Sequence, residues 1–374
     1  MSFRKQHGVP DLGIGIGFRA PHRAAILESP ELPENAAGLA AIDWFEVISE
    51  NYLGDGGRPL ATLDRLSTNY PVIPHGVSLN LGGTDRLNTD HLRRLRRLVD
   101  RLDAPWFSDH LCFTAAHGVE VHDLLPLPCT EKVADWVADR IRAVCDAIGR
   151  PFLLENPSSY VSWRADAMPE WEFLSRIAER ADCGLLFDVN NVFVAATNHG
   201  FDPRRYIDGI DPERVVQIHL AGHSERPIRG RPKDAAGARP SASTSEFAGR
   251  GDAGDGGPTS TGARPSASTS EFAGRGDAGD GGPTSTGTPG FFLFDTHSRP
   301  VADAVWSLYR RTIARTGPVT TLIEWDEEIP AFPVVAAEAA KARVARQEAT
   351  LSSVGTATKE HLSANSVQTP GELV

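Results

Sequence analysis

From residue 12 onward, short apolar runs alternate with amphipathic stretches, the pattern of parallel strands joined by helical crossovers. Eight runs read as strands: LGIGIGF (12–18), WFEVISE (44–50), PVIPHGVSLN (71–80), PWFSDHL (105–111), PFLLENP (151–157), CGLLFDVNNV (183–192), VVQIHLAGH (215–223) and VTTLIEWD (319–326). Between them Thr89–Leu102, Glu131–Ile148, Glu170–Ala181 and Val301–Thr316 place apolar residues at helical spacing and charges elsewhere, so each predicts a covering helix. Eight such strands predict an α/β fold, a single closed (β/α)₈ TIM barrel.

One region breaks the rhythm. Gly237–Thr261 (GARPSASTSEFAGRGDAGDGGPTST) returns residue for residue as Gly262–Thr286, a tandem copy of recent origin. Its Gly, Pro, Ser, Thr and Asp cannot bury enough apolar surface to offset the entropy of ordering, and two copies without an apolar face are too few for a solenoid. The expected organisation is a barrel domain over 1–236 and 287–350, a disordered insertion over 237–286 after the seventh strand, and a loose tail over 351–374.

Composition narrows the partners. With 38 basic and 49 acidic residues the formal charge is −11, which argues against a general grip on nucleic acid. Neither a signal-peptide apolar core nor a run of ~20 apolar residues is present, so a cytoplasmic protein without a membrane span is expected. Cys112, Cys129, Cys145 and Cys183 form no C-x-x-C pair and read as reduced thiols. Gly13, Gly15 and Gly17 hint at a phosphate loop, but Phe18 and Ala20 stand where the third glycine belongs, which favours a first strand of small inward-facing residues. Arg93, Arg94, Arg96, Arg97 and Arg101 make a basic helix face, read as solvated rather than as a dock for an acidic leader peptide.

The candidate chemistry lies where the strands end. LLFDVNNVF (185–193) would suit a buried strand except for Asp188, Asn190 and Asn191. Burying an amide without a partner costs roughly 2–7 kcal/mol, and a charge costs more. The same puzzle recurs at Glu50, His75, Asp109, His110, Glu155, Asn156, His219, His223 and Glu324, and Asp295-Thr-His297 adds a carboxylate and an imidazole after the seventh strand. All fall toward the strand C-termini, the end at which such barrels build active sites. Imidazoles and carboxylates converging on one mouth suit a cluster of iron, zinc or manganese ions, whose binding would offset the burial.

Taken together, GIGFR (15–19), EVISENY (46–52), PHGVSLNLG (74–82), SDHL (108–111), LLENPSSY (153–160), FDVNNVF (187–193), QIHLAGH (217–223), FDTHSRPV (294–301) and IEWD (323–326) resemble the multinuclear non-heme iron-dependent oxidative enzymes. The resemblance covers Leu12 to about Trp325 apart from the repeats. It implies a barrel like those of xylose isomerases and apurinic endonucleases, and oxidation of ribosomally made peptides, usually at cysteine, as in the maturation of copper-binding methanobactins and related peptides. It further implies two to three iron ions with O₂ as co-substrate. His75, His110 and Glu155 would hold one iron, Asp188, His219 and Glu324 a second, and Asn191, Asp295 and His297 a third, with Glu155 shared. Glu50, Asn156, Asn190 and His223 would orient ligands or substrate. The implied partners are a cysteine-containing precursor peptide and a separate protein that recognises its leader. Because a barrel does not fix its reaction, the residues alone leave open a divalent-metal sugar isomerase or phosphodiesterase, and a non-catalytic metal-binding partner.

Overall fold

The computed structural model describes residues 2–227 and 291–365; the repeats, over 237–286, lie outside them. In chain order the strands are β1 (Ile14–Gly17), β2 (Trp44–Ile48), β3 (Val72–His75), β4 (Phe107–His110), β5 (Phe113–Ala116), β6 (Val119–Leu125), β7 (Phe152–Glu155), β8 (Gly184–Asp188), β9 (Val215–Leu220), β10 (Ser224–Pro227), β11 (Phe291–Phe294) and β12 (Thr320–Ile323). Eight of them close a parallel barrel in the order β1-β12-β9-β8-β7-β4-β3-β2, so neighbours in sequence are neighbours in space. Its strands are those expected from the eight apolar runs, and the fold is a (β/α)₈ barrel.

The helices are α1 (Phe3–His7), α2 (Pro33–Leu39), α3 (Arg58–Ser67), α4 (Thr89–Leu102), α5 (Glu131–Ile148), α6 (Glu170–Ala181), α7 (Val189–His199), α8 (Pro203–Gly209), α9 (Asp303–Thr316) and α10 (Phe332–Asn365). The long crossovers are capped by their sequence. Asn88 accepts from the backbone of Asp90 and His91 to start α4, and Thr130 accepts from Val133 to start α5. α4 buries Leu92, Leu95, Leu98 and Val99, one stripe at helical spacing, and leaves its arginines outside.

Several boundaries differ from the expectation, and the differences have causes. The run 183–192 is not one strand: β8 stops at Asp188 and α7 starts at Val189. Asp188 is the N-cap, at φ −83° and ψ 113°, and its Oδ1 accepts the Asn191 N–H at 2.7 Å. That cap overrides the β preference of the Val and Phe that follow. β3 ends at His75 rather than Asn80: the Gly76 amide makes the last ladder bond, to the Ser108 carbonyl of β4 at 2.8 Å, and the amides of Val77 and Leu79 go instead to the carboxylates of Glu50 at 3.1 Å and Asp109 at 3.0 Å. Two antiparallel hairpins, β5–β6 and β10–β11, were not foreseen; they project from the barrel and add no barrel strand. α10 continues across residue 351, where a loose tail was expected, and 366–374 lie outside the described residues.

The glycines of β1 serve packing. Gly15 pairs with Trp44 of β2, and a Cβ at Gly15 would lie 2.4 Å from that indole. At Gly17 the added carbon would meet the Arg19 guanidinium at 2.7 Å, so this glycine clears the path by which Arg19 reaches the barrel mouth. The four cysteines are unpaired, and burial pushes the Cys129 thiol up to about 12 and the Cys145 thiol up to about 11. Among the described residues no helix is long and apolar enough to cross a membrane.

Candidate metal centre

His75, His110, Glu155 and Asp188 are the last residues of β3, β4, β7 and β8; His219 lies near the end of β9 and Glu324 follows β12. The barrel brings them together. Glu155 Oε2 sits 3.2 Å from His75 Nε2 and 3.2 Å from His110 Nε2. The other ring nitrogens are occupied from behind, His75 Nδ1 by Ser108 Oγ at 2.8 Å and His110 Nδ1 by the Gly76 carbonyl at 3.1 Å. A carbonyl only accepts, so the Gly76 contact puts the proton on His110 Nδ1 and leaves Nε2 a lone pair for a cation.

The second oxygen of Glu155 turns the other way, 3.4 Å from His219 Nδ1, which is also 3.1 Å from Glu324 Oε2. Asp188 is within ligand reach of Glu155 and His219 on one side and of His297 and Glu324 on the other. His297 Nδ1 lies 3.5 Å from Glu324 Oε2, and its Nε2 lies 2.7 Å from Asp295 Oδ1. Thus His297 borders the Asp188/Glu324 pair as well as Asp295. Asn191 donates through Nδ2 to the Asn156 carbonyl at 3.0 Å, which orients its amide and leaves Oδ1 without a partner.

The four orienting candidates tie these ligands to the frame. Asn156 bonds the Asp188 N–H and carbonyl, each at 2.9 Å, and so clamps the end of β8 to β7. Asn190 donates to Asp295 at 2.7 Å and meets His223 Nδ1 at 2.8 Å. Glu50 accepts the Val77 N–H at 3.1 Å, and its other oxygen is buried without a partner.

Charge is balanced only in part. Burial opposes the anion at Glu155, yet His110, His219 and His75 hold it down to about 2. Burial opposes the imidazolium at His219, yet Glu46, Glu324 and Glu155 hold its pKa well above the ordinary value. Asp188 goes the opposite way: burial, then the charges of Asp295 and Glu155, push it well above the carboxylate range. Glu155 Oε2, His219 Nδ1 and His297 Nε2 are buried with only the ion-pair contacts given above, while Asp188 Oδ2 and Asn191 Oδ1 are buried without a partner. A polar atom left so costs about 1–3 kcal/mol. Two orphaned oxygens among clustered carboxylates and imidazoles in one mouth fit divalent cations, which take oxygen and imidazole nitrogen as donors.

Some residues of this mouth escaped the sequence reading. Glu46 of β2 is 1% exposed, and its Oε2 lies 3.1 Å from His219 Nε2. Arg19 pairs with Asp326 at 2.5 Å and reaches Glu324 at 3.8 Å. Asp326 in turn contacts His297 Nδ1 at 3.3 Å. The signal for Glu46 was the one that exposed Asp188, a carboxylate inside an apolar run, but Glu50 four residues later drew the assignment.

Outside the mouth, the basic face of α4 is paired locally: Arg93 and Arg94 with Asp90, Arg96 with Asp100, Arg97 with Asp55, and Arg101 with Asp64. Two cavities of about 620 and 490 Å³ lie beside the β5–β6 hairpin, and a third of about 250 Å³ lies beyond the end of β6, lined from Pro126 onward. The first two share Ala115, and the last two share Leu127 and Trp163, so they form one trough. Its first part is floored by Val77 and Leu79, a few residues beyond His75.

The chain has relatives among known proteins over most of its length. A UPF0276 protein of Anaeromyxobacter sp. (strain Fw109-5) is 40% identical over 319 residues, 85% of this chain and 87% of its own length. Another, from Acaryochloris marina, is 39% identical over 330 residues, 88% and 93% of the two chains. A xylose isomerase-like TIM barrel protein from Mycobacterium smegmatis, in complex with magnesium, aligns over 92% of this chain and 99% of its own at 10% identity and a TM-score of 0.46. The family model described as RiPP precursor modification enzyme MbnB/TglH/ChrH, a RiPP being a ribosomally made and later modified peptide, matches residues 13–234 and 272–347. With that match spanning β1 to α10 and including the barrel-strand ends that carry the candidate ligands, the chain belongs to the MbnB/TglH/ChrH family of RiPP precursor modification enzymes.

Proposed function

We propose that this protein uses two to three iron ions and O₂ to oxidise a cysteine of a ribosomally made precursor peptide. The observation that carries the reading is the set of buried, clustered carboxylates and imidazoles, with the orphaned Asp188 Oδ2 and Asn191 Oδ1 among them, at the barrel mouth of a chain whose family modifies precursor peptides. His75, His110 and Glu155 would hold one iron, Asp188, His219 and Glu324 a second, and Asn191, Asp295 and His297 a third. The two oxygens of Glu155 face different imidazoles, which supports its sharing between the first two. Bound there, iron supplies sites for a thiolate and for O₂, together with the redox chemistry no side chain can provide.

The protein's own residues position and protect. Asn156 fixes the Asp188 backbone and Asn190 holds Asp295, so these carboxylates, which would hold metal, keep their places at the mouth. His223 has its Nδ1 against Asn190 Oδ1, an acceptor, which leaves Nε2 to take a proton from the substrate. Burial lowers the His223 pKa, which keeps that nitrogen unprotonated near neutrality. Glu50, with one oxygen unengaged, stands beside the trough at Val77. The trough is long, partly apolar and bordered by the exposed Trp136, Trp163 and Val161, a shape that suits an extended peptide better than a sugar. A separate leader-recognition protein would hold the remainder of the precursor.

The decisive experiment is co-expression with a cognate cysteine-containing precursor peptide and its leader-recognition partner, followed by mass spectrometry. A mass change at a cysteine that requires both iron and O₂ is expected. An unchanged peptide with iron-loaded enzyme and all partners present overturns the reading. Zinc or magnesium in place of iron, with sugar isomerase or phosphodiesterase turnover, would replace it.

A further inference from the structure

All the candidate ligands but two are carried by the barrel itself. His75, His110, Glu155, Asp188 and His219 lie on barrel strands, Glu324 directly follows β12, and Asn191 stands in the first turn of the helix that follows β8. Asp295 and His297 come after β11, which belongs with β10 to a separate two-stranded sheet. No barrel ladder fixes that segment, so its place at the mouth must be set by other contacts.

Two side chains supply them. At Leu293 the Asn198 amide, near the end of α7, donates through Nδ2 to the backbone carbonyl at 3.0 Å and accepts the backbone N–H through Oδ1 at 2.9 Å. An amide that engages both backbone groups of one residue stands in for a neighbouring strand, and it fixes position along the chain as well as distance. Two residues on, the Asp295 N–H goes to the Tyr160 phenol oxygen at 3.0 Å. A backbone N–H can only donate, so the phenol is the acceptor there. The Tyr160 ring lies against Phe294, with 5.4 Å between centroids and 23° between planes. Asn198 spends both ends of its amide on Leu293, and the Tyr160 oxygen also receives Ser158 Oγ at 3.0 Å, so neither is left over as a ligand. Further along, the His297 carbonyl accepts the Asp326 N–H at 2.9 Å, which ties the segment back to the loop after β12.

We infer that Asn198 and Tyr160 are positioning residues for the metal of Asp295 and His297, because they hold the segment Leu293–Asp295 against α7 and the loop after β7 where the barrel does not. α7 thus serves the mouth at both ends: Asp188 caps its start, Asn191 sits in its first turn, and Asn198 near its end places β11. Changes at Asn198 or Tyr160 should therefore act on one metal and spare those held by barrel strands. The inference rests on the metal reading of the mouth, but not on iron, O₂ or a peptide.

Cobalt(II) is the suitable probe, because its visible absorption reports ligation without turnover. Metal-free wild type, Tyr160→Phe, Asn198→Ala and His297→Ala would be titrated with Co(II), with stoichiometry, affinity and spectrum recorded and the melting temperature of each metal-free protein measured. His297→Ala identifies the binding step that belongs to this site. Loss of an outer partner that orients a ligand typically weakens metal affinity about 10–100-fold. That loss, confined to the step missing in His297→Ala, is expected for Asn198→Ala and for Tyr160→Phe. The phenylalanine keeps the ring against Phe294 and removes only the acceptor oxygen, so this variant should stay folded. The remaining steps should keep wild-type affinity in both.

Wild-type affinity at every step in both variants overturns the assignment and leaves the metal centre standing. Parallel weakening of all steps does the same, since it would mean general loosening instead of the placement of one site. Complete loss of the step in Tyr160→Phe would make Tyr160 a ligand and not a positioning residue, and an effect in one variant alone removes the other residue from the assignment. A wild type that shows no step removed by His297→Ala overturns the metal reading of Asp295 and His297, and this assignment with it.

Discussion

Helix α4 and the barrel mouth are both crowded with charge, and they are built on opposite terms. On α4 five arginines each meet a nearby aspartate, with arginine side chains 38–68% exposed, so water shares every interaction. At the mouth Glu46, Glu155, Asp188 and Glu324 gather around His75, His110 and His219 with almost no exposure, and donor atoms are left over. Charge density is therefore not the mark of the site. Burial combined with unmet partners is, because it is a cost that something absent from the polypeptide must offset.

The strongest way to break this contrast is to remove one buried ligand. His75→Ala should lower turnover about 10³-fold or more, on the order of 4 kcal/mol of barrier, while far-ultraviolet circular dichroism stays native. Asp188 calls for asparagine instead of alanine. Its Oδ1 caps α7, and an alanine would add a cap loss of about 1 kcal/mol to the loss of a ligand. Asp188→Asn keeps the cap and places an NH₂ where Oδ2 is free, so it should lose turnover equally with little change in melting temperature. Activity surviving in both variants would mean that the buried cluster is structural.

Metal removal comes next. A ligand at 100 times its Kd stabilises the folded state by about 2.7 kcal/mol, and for a chain of this size 1 kcal/mol moves the midpoint by about 2–4 °C. Chelation should therefore lower the melting temperature by roughly 5–10 °C. Arg97→Ala on α4 should show the same drop, since Arg97 meets only Asp55 across an exposed surface. A chelation effect lost in Arg97→Ala, or absent in wild type, would erase the distinction.

Within the mouth, the ligands themselves should be unequal. Asn191 offers a neutral amide oxygen where the others offer carboxylate or imidazole, so its metal should be the most easily lost. Asn191→Ala should reduce iron at that position while the His75/Glu155 and Asp188/His219 ions persist, as anomalous scattering at the iron edge would record. Asn191→His should tighten the site, since imidazole binds first-row metals better than an amide. Occupancies unchanged in Asn191→Ala would make Asn191 a substrate or orienting residue.

Much of this was legible in the residues, for a reason particular to barrels. Strands that must fill a core tolerate few polar residues, so Asp188 in LLFDVNNVF and Glu155 in PFLLENP stood out against Leu and Phe, and their common end marked the mouth. Local competition was harder to read: the pattern of 183–192 continues an apolar run, and only the cap bond from Asp188 to Asn191 shows that the strand has already become a helix. Glu46 and Arg19 were hidden because their roles depend on contacts between distant elements. Arg19 reaches Asp326 across more than 300 residues of chain, and no spacing rule connects them. The hairpins escaped for the converse reason, since they lie outside the barrel and obey no barrel periodicity.

The repeats supply a smaller test of the same contrast. Pro227 and Phe291, which flank the undescribed stretch, are paired in the β10–β11 hairpin. Closing a loop costs only about 0.6 kcal/mol per doubling of length. Deleting 237–286 should thus leave metal content unchanged and alter stability by no more than about 1.5 kcal/mol, in the stabilising direction. A marked loss of stability or of iron would show that the repeats pack against the barrel.

The smallest effect belongs to the best-formed ion pair of α4. Arg101 Nε and Nη2 each donate to an Asp64 oxygen at 2.6 Å, a two-pronged contact with ideal complementarity. Even so, the two side chains are 42% and 49% exposed, and exposed pairs typically contribute about 0.2–1 kcal/mol. The hydrogen bonds from Arg101 lower the Asp64 pKa against a slight opposition from burial. A lowered carboxylate pKa gives stability that is present above the unfolded-state value and lost as pH falls through the folded-state value. A double-mutant cycle of Arg101→Ala and Asp64→Ala should therefore yield a coupling under about 1 kcal/mol at pH 7, fading in acid and in high salt. Metal content should be indifferent to all three variants. A coupling well above that range, insensitive to salt, would show that geometry can make an exposed pair behave like a buried one, and burial would no longer separate the two regions.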